Sequence, residues 1–147
     1  MSDQDQDESL NNQNDGFDAS LQGAPPFAAL LGIYEGISAD GVGTARMPIR
    51  EYHLQDRGYV QGGLIVTLAD YSYYLAVKSL LSPGQITVTV ELKVNFLAGA
   101  REGELTATAK VVSGGRRIFV VEGDVSDDKG VIVARGLSTY LVSETRQ

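Results

Sequence analysis

The sequence contains no cysteine, no tryptophan and a single histidine, His53. Without cysteine the chain can form no disulfide, no thiolate nucleophile and no cysteine-ligated zinc site. One histidine leaves no room for a histidine-rich metal site, so imidazole catalysis could come only from His53. We therefore expect no metal, and the absence of disulfides fits a reducing, cytoplasmic environment.

Basic residues are also scarce, with 12 lysines and arginines against 19 aspartates and glutamates and a formal net charge of −7. A nucleic-acid partner is not expected, because such binding needs a basic surface. The longest apolar stretch, residues 64–77, is too short to span a membrane and contains Asp70. The polar, acidic N-terminus does not have the pattern of a signal peptide.

Residues 1–22 are rich in aspartate, glutamine, asparagine and serine and poor in apolar side chains. This composition predicts a disordered acidic tail. The remaining residues, 23–147, are enough for one domain with a sizeable core.

The domain is predicted to begin with a short helix in APPFAALLG, because prolines suit a first turn and Gly32 ends it. Two strands around a turn at residues 38–43 follow. Residues 63–81 are predicted to form one long helix, which Ser82-Pro83-Gly84 ends. This helix is apolar on nearly all sides, so we expect it to be buried.

Four long strands joined by short turns follow the helix and predict an antiparallel sheet. In the clearest strand we expect one apolar series to share a face: Ile86, Val88, Val90, Leu92, Val94 and Phe96. A buried helix followed by a twisted sheet predicts an α+β fold with the sheet curled around the helix. Open sheet edges would favour pairing with a second subunit.

Six motifs occur in order along the chain: PPFAALLGI, G-x-x-Q-G-G at 58–63, LAD at 68–70, TVTVELKVNFL, SGGRR and G-x-x-V-A-R-G at 130–136. Over about residues 25–142, their order and spacing resemble the hotdog-fold acyl-CoA thioesterases, in the PaaI-like branch. The resemblance implies a curled sheet around one central helix and a site shared between two subunits of a dimer or tetramer. It implies acyl-CoA hydrolysis with no cofactor beyond the CoA of the substrate.

The resemblance also implies three catalytic roles. The backbone N–H of Gly62 would bind the thioester carbonyl oxygen, Asp70 would act as general base or nucleophile, and Gln55 would orient the water or the thioester. The family usually has asparagine at the position of Gln55 and histidine at the position of Gln61. An amide at Gln61 can replace a histidine that only positions the loop, because it donates and accepts hydrogen bonds, but it cannot supply a proton.

These residue types suit thioester hydrolysis. Negative charge develops on the carbonyl oxygen, and the free N–H groups of a helix start can bind it. Glycines at 62 and 63 let a ligand approach the backbone, although they would equally suit close packing of the helix on a strand. Asp70 would be a suitable base in a cleft between subunits, and the alternative is an ion pair with lysine or arginine.

The candidate substrate-binding residues are Gln61, Gly63, Thr89, Tyr74, Arg116 and Arg117. Related enzymes sometimes have serine or threonine at the position of Thr89, near the carboxylate of the partner subunit, but threonine also suits a half-buried strand. Tyr74, with Tyr71 and Tyr73, would line an acyl pocket or pack in the core or a dimer contact. The two arginines would bind a CoA phosphate or lie in a solvated turn.

Three functions fit these residues. The first is an acyl-CoA thioesterase, with the acyl group and the choice between CoA and acyl carrier protein left open. The two glutamine replacements also fit a non-catalytic protein that binds acyl-CoA or acyl-lipid. A hotdog dehydratase would need a histidine before the helix. Gln61 argues against it and only His53 is available, although we expect His53 to be a loop residue.

Overall fold

The computed structural model describes residues 23–145, so the predicted acidic tail lies outside the described residues. In chain order the elements are α1 (Pro26–Leu31), β1 (Tyr34–Ala39), β2 (Val42–Pro48), a short 3₁₀ helix (Glu51–His53), α2 (Gly62–Lys78), β3 (Gln85–Phe96), β4 (Glu104–Gly114), β5 (Ile118–Ser126) and β6 (Ile132–Glu144). No helix in residues 23–145 is long and apolar enough to span a membrane.

The central helix α2 ends three residues before the predicted end at residue 81. The N–H groups of Leu80 and Leu81 bond to carbonyls three residues back, at 2.9 and 3.2 Å. This tighter hydrogen bonding closes the last turn and uses up carbonyls that an α-helix would leave free.

The six strands form one antiparallel sheet in the order β1-β2-β4-β5-β6-β3. The core lies between the sheet and α2, where Leu68 and Leu75 of the helix pack with Val121 and Val133 of the strands. The predicted α+β fold, with one sheet curled around a long central helix, is confirmed. The strands β1 and β3 are the two edges of the sheet.

Two glycines of neighbouring strands make room for Tyr73 of α2. Gly123 and Gly136 are paired across β5 and β6. A Cβ on Gly123 would lie 2.6 Å from Tyr73 Cε1, and a Cβ on Gly136 would lie 2.5 Å from Tyr73 Oη. The Tyr73 hydroxyl donates to the carbonyl of Gly123 at 3.3 Å, and burial raises the pKa of Tyr73 to about 12. Tyr73 is therefore a core residue.

A β-bulge interrupts β3 at Val90. Thr89 is paired with Tyr140, and Glu91 is paired with Thr139, so Val90 is an extra residue on its strand. An extra residue of this kind bends the strand and reverses the faces on which alternate side chains lie.

The bulge explains why the apolar residues of β3 do not share one face. After the bulge, Leu92 and Val94 pack against the core. Before it, Ile86 and Val88 are 45% and 54% exposed. The prediction that the apolar series of residues 86–96 lies on a single face is therefore wrong, because sequence alternation does not show where a strand gains a residue.

Candidate active site

Asp70 lies in the middle of α2, and its carboxylate is hydrogen-bonded to two strands of the sheet. Thr89 Oγ1 donates to Asp70 Oδ1 at 3.0 Å. The Tyr140 hydroxyl contacts the same Oδ1, and it also lies 2.9 Å from the Asp70 carbonyl oxygen. The resemblance suggested that Thr89 would lie near the carboxylate of a partner subunit, whereas it bonds to the carboxylate of its own chain.

No lysine, arginine or histidine of the described residues forms an ion pair with Asp70. The alternative of an ion-paired carboxylate at the helix edge therefore finds no support in the part of the chain that the structure describes. Its hydrogen bonds are instead to neutral hydroxyls, which leave the charge of the carboxylate uncompensated.

Asp70 borders an open cavity of about 570 Å³ between α1, α2 and β3. Apolar and aromatic side chains form most of its walls, which also include two threonines of β3. The other lining residues are Pro25, Phe27, Val66, Thr67, Tyr71, Tyr74, Thr87, Val88, Thr89, Leu92 and Tyr140. A partly enclosed cavity with an apolar wall and one carboxylate is typical of a small-molecule site.

Three aromatic rings form one wall of this cavity. Phe27 packs edge-to-face on Tyr71 at 5.3 Å between ring centroids, and Tyr71 stacks on Tyr74 at 6.1 Å. The Tyr71 hydroxyl donates to Glu35 Oε2 at 3.1 Å, and Lys78 Nζ lies 3.8 Å from Glu35 Oε1. Burial, together with Glu35, raises the pKa of the Tyr71 hydroxyl. Tyr74 therefore forms part of the cavity wall, which is the position expected of a residue that lines an acyl pocket.

The first turn of α2 presents two backbone donors without a side chain over them. Gln61 caps the helix, since its Oε1 accepts from the N–H of Leu64 at 3.3 Å. The N–H groups of Gly62 and Gly63 have no acceptor within residues 23–145. A Cβ on Gly63 would lie 2.7 Å from Gln61 Oε1, so glycine leaves room for the cap. The Phe96 ring lies beside Gly62.

Gln55 lies in the loop that leads into this first turn. Its Oε1 accepts from the N–H of Arg57, and its own N–H donates to the carbonyl of Tyr59 at 2.8 Å. Its Nε2 has no acceptor among the residues that the structure describes, so the loop offers one side-chain amide donor. Gln55 does not line the cavity beside Asp70.

His53 holds the same loop against α1. It is 1% exposed, and its Nδ1 accepts from the N–H of Arg50 at 3.0 Å. Nε2 therefore carries the proton and donates to the carbonyl of Leu31 at 2.9 Å. Burial lowers the pKa of the ring. With both nitrogens engaged, His53 is a structural loop residue, and the structure offers no support for its use as the missing histidine or in a dehydratase.

Arg116 and Arg117 lie in the turn between β4 and β5, away from Asp70. They line a different groove, with Leu80 and Gln85, that shares no residue with the aromatic cavity. The chain therefore does not bring them together with the carboxylate, and their contact with a CoA phosphate stays a prediction.

Within one chain, the free N–H groups at the start of α2 lie far from the carboxylate of Asp70. Asp70 follows Gly62 by eight residues, and a rise of 1.5 Å per residue places them about 12 Å apart along the axis. An oxyanion donor must lie about 3 Å from the carbonyl oxygen, and the attacking group a similar distance from the carbonyl carbon. Along the axis of α2, the positions of Gly62 and Asp70 in one chain are therefore farther apart than these two distances together.

The sequence interpretation missed Tyr140. It lies 70 positions after Asp70, so no local motif links the two residues. One signal was present, because Tyr140 shares its face of β6 with the buried Ser138 and Val142. A tyrosine on that inward face needs a partner for its hydroxyl.

Comparison with known proteins agrees with this architecture. Residues 57–134, more than half of the chain, match the thioesterase superfamily. The protein belongs to this superfamily and has its hotdog fold. Its relatives include members of the PaaI-like branch.

Three similar proteins illustrate the range of the family. A Saccharolobus solfataricus protein with a provisional esterase name is 35% identical over 85 residues, 58% of this chain. The chain spans only 56% of that relative. The 1,4-dihydroxy-2-naphthoyl-CoA hydrolase of Listeria monocytogenes is 26% identical over 73% of this chain and 87% of its own. A Bacillus halodurans protein solved with CoA is 31% identical, with a TM-score of 0.76 over 84% of this chain and 80% of its own.

Proposed function

We propose that this protein hydrolyses acyl-CoA thioesters to a free acid and CoA. The observation that carries the proposal is a carboxylate, Asp70, beside an apolar cavity. One of its oxygens is bonded to two hydroxyls, and no cation within residues 23–145 is paired with it. Such a carboxylate is positioned to remove a proton or to attack a carbonyl carbon next to an apolar acyl group.

Two routes use the same carboxylate. As a general base, Asp70 takes a proton from water while the water oxygen bonds to the carbonyl carbon. The C–S bond then breaks, and the thiolate leaves and is protonated. As a nucleophile, Asp70 first forms a mixed anhydride with release of the CoA thiol, and water then cleaves the anhydride. Both routes place negative charge on the carbonyl oxygen, where N–H donors stabilise it.

A second copy of the chain would supply those donors. The distance of about 12 Å between Gly62 and Asp70 prevents one chain from holding both ends of a thioester. We infer that Gly62 of one copy binds the oxyanion next to Asp70 of the other. Gln55, on the loop before Gly62, would orient the water or the thioester from the same side as Gly62.

The edge strand β3 is the surface that would join the two copies. It is 12 residues long, and no strand of the described residues pairs with its outer side. Val88 and Phe96 are each more than half exposed along it. A long exposed edge with apolar side chains favours pairing with an identical strand.

A two-fold axis near Leu92 would give this pairing a consistent register. Glu91 of each copy would then lie opposite Lys93 of the other, which is a favourable cross-strand pair. The same register brings the Phe96 end of one β3, where Gly62 lies, towards the Thr89 end of the other.

The comparisons support an acyl-CoA substrate. The Listeria monocytogenes relative is named as a hydrolase of an aromatic acyl-CoA, and the Bacillus halodurans structure contains CoA. CoA would be part of the substrate, and no further cofactor is invoked. The dimer is our minimum assembly, and a tetramer of two such dimers would keep the same sites.

The test is release of free thiol, followed with Ellman's reagent on short, medium, long and aromatic acyl-CoAs. We expect turnover that falls at least about a hundredfold in Asp70→Asn, the scale of losing a general base. Asp40→Asn is the matched control, since Asp40 is an exposed turn residue outside the cavity. Its left-handed φ of 51° is one that asparagine also tolerates.

Two outcomes would contradict the proposal. Equal turnover in wild type and Asp70→Asn would remove Asp70 from the mechanism. Binding of acyl-CoA without thiol release on any substrate would instead favour a non-catalytic binding protein. Gln61 would suit that function equally, because its N-cap hydrogen bond involves no proton transfer.

A further inference from the structure

Tyr140 and Thr89 approach Asp70 as a pair of neighbours in the sheet. They are directly opposite each other in the β3–β6 register. Both hydroxyls reach Asp70 Oδ1, from Thr89 at 3.0 Å and from Tyr140 in a close contact. Asp70 Oδ2 has no hydrogen-bond partner within residues 23–145. The two oxygens of this carboxylate are therefore in different environments.

The Tyr140 hydroxyl has one proton and two nearby acceptors, the Oδ1 and the carbonyl oxygen of Asp70. A hydrogen bond to a charged carboxylate is the stronger of the two. Burial and the adjacent carboxylate both raise the pKa of Tyr140, so the hydroxyl remains a donor at neutral pH. Oδ1 thus receives two donated hydrogen bonds.

The bulge in β3 is what gives Oδ1 its second donor. Leu92 and Val94 lie on the core face after the bulge. If β3 had no extra residue, the same alternation towards its N-terminal end would place Val90 on the core face, beside Asp70. With the bulge, Thr89 takes the inward place, so a hydroxyl rather than a methyl group meets the carboxylate.

We propose that Tyr140 is a positioning residue for the hydrolysis: with Thr89 it holds Oδ1 of Asp70 in place and leaves Oδ2 as the oxygen that reacts. This inference rests on the proposed function. Tyr140 is 1% exposed and its hydroxyl is bonded to Asp70, so it acts through Asp70. With Oδ1 held by two hydroxyls, Oδ2 is the oxygen left to accept a proton or to attack.

The charged and titratable groups around this pair are few. Besides Asp70, Tyr73 of α2 is the ionisable side chain that acts on Tyr140, and Tyr73 also feels Asp70. β3 contributes Thr89, which does not ionise, and no basic side chain of the described residues pairs with Asp70. The Tyr140 hydroxyl also contacts Thr89 and the Asp70 carbonyl oxygen, so removing it changes the hydrogen bonding of the whole Asp70–Thr89–Tyr140 group.

The first experiment compares Tyr140→Phe with wild type at pH 7, measuring kcat and KM on the best substrate. We expect kcat to fall about tenfold to a hundredfold, as for loss of a hydrogen bond to a charged group. KM should change little, because the variant alters the positioning of Asp70 and keeps the aromatic ring among the walls that hold the acyl group.

Tyr73→Phe is the matched control. Tyr73 is equally buried, faces the same sheet and loses the same hydroxyl, but its hydroxyl bonds to Gly123 and not to Asp70. The kcat of Tyr73→Phe at pH 7 should stay close to that of wild type. Thr89→Val removes the other donor to Oδ1 and should lower kcat, as Tyr140→Phe does, whereas Thr89→Ser keeps a hydroxyl and should keep most of the activity.

A second measurement does not depend on turnover. The Asp70 carboxyl is observed by ¹³C NMR at pH 7, with its signal assigned by its absence in Asp70→Asn. Its chemical shift should change in Tyr140→Phe and stay close to wild type in Tyr73→Phe, because only the first variant removes a hydrogen bond to Oδ1. An unchanged signal in a folded Tyr140→Phe protein, with an unchanged kcat where turnover exists, would overturn the inference. Failure of wild type to hydrolyse any thioester would overturn the proposed function and leave the carboxyl signal to decide on Tyr140.

Discussion

The first turn of α2 and the turn that carries Asp70 belong to one helix but offer opposite chemistry. The first turn has backbone donors at Gly62 and Gly63 that find no acceptor among the described residues, and no Cβ covers them. The Asp70 turn has an acceptor to which the sheet has already supplied two donors. About 12 Å of helix separates the two. The difference is what leads us to propose that one chain carries two complementary halves of a site.

The largest effect should come from removing the donor at the helix start. Gly62→Pro deletes the N–H, and proline is well suited to the first position of a helix. Gln61 has φ −61° and ψ 132°, a conformation that a residue before proline readily adopts. We expect kcat to fall about 100-fold to 1,000-fold, the scale for one oxyanion donor. Gly62→Ala keeps the N–H but adds a Cβ 3.1 Å from the ring of Phe96, so it should lose clearly less activity than Gly62→Pro and separates crowding from loss of the donor.

Mixing two inactive variants tests whether the halves come from different copies. Asp70→Asn and Gly62→Pro chains, unfolded and refolded together, would form mixed dimers with one intact site. Random association should then restore roughly a quarter of wild-type activity. No recovery in a mixture shown to contain mixed dimers would contradict the shared site.

A smaller effect is expected from crowding the sheet beneath the Asp70 turn. Gly136→Ala would place a Cβ 2.5 Å from Tyr73 Oη and 2.7 Å from the carbonyl oxygen of Lys93. The backbone carbonyl cannot move freely, so we expect the free energy of unfolding to fall by about 1–3 kcal/mol in urea titrations. Gly115→Ala has no atom closer than 3.9 Å and should cost far less. Equal losses in the two variants would show that the space around Tyr73 is not what Gly136 provides.

The loop at the helix start should respond to acid through His53. Burial lowers the pKa of His53 in the folded protein below the ordinary value of 6.5. The unfolded chain therefore binds a proton at His53 more readily than the folded protein does. The contribution of His53 to stability is fully present above about pH 6.5 and is lost as the pH falls below that value. We expect a smaller fall in Tm between pH 7.5 and 5.5 for His53→Gln than for wild type. Parallel curves would show that His53 contributes nothing to the acid sensitivity.

The smallest effect concerns the register that brings the two halves together. Glu91→Lys would place like charges opposite each other in the proposed β3 pairing, and each such pair is worth about 0.2–1 kcal/mol. We expect weaker dimers by analytical ultracentrifugation at low salt. Adding Lys93→Glu should restore the affinity, because the double variant recovers opposite charges. A dimer as strong in Glu91→Lys as in wild type would exclude this register.

Much of the fold could be predicted because local patterns determine it. The proline start and Gly32 end of α1, the apolar length of α2 and the alternation of the last four strands all lie within short stretches of sequence. The bulge at Val90 could not be predicted, because it depends on how β3 pairs with β6, more than 40 residues later. Alternation alone therefore gave the wrong face for Ile86 and Val88.

The candidate site divides in the same way. Asp70, Gly62 and Gln55 could be named as candidates because they lie in or beside a motif before or within one helix, and their catalytic roles stay predictions. Tyr140 was missed because its relation to Asp70 exists only after the sheet folds over the helix. The role of Gln61 as N-cap was open until the structure showed its bond to Leu64.

The spacing along α2 has a consequence for how activity depends on protein concentration. In the proposed shared site, a chain that takes its oxyanion donor from a second copy would have no working centre while it is alone. Below the dissociation constant of the dimer, the rate should then rise with the square of the chain concentration, and above it in direct proportion. Newly made chains would remain inactive until they meet a second copy, so mass action itself would set the threshold at which cellular thioesters begin to be cleaved.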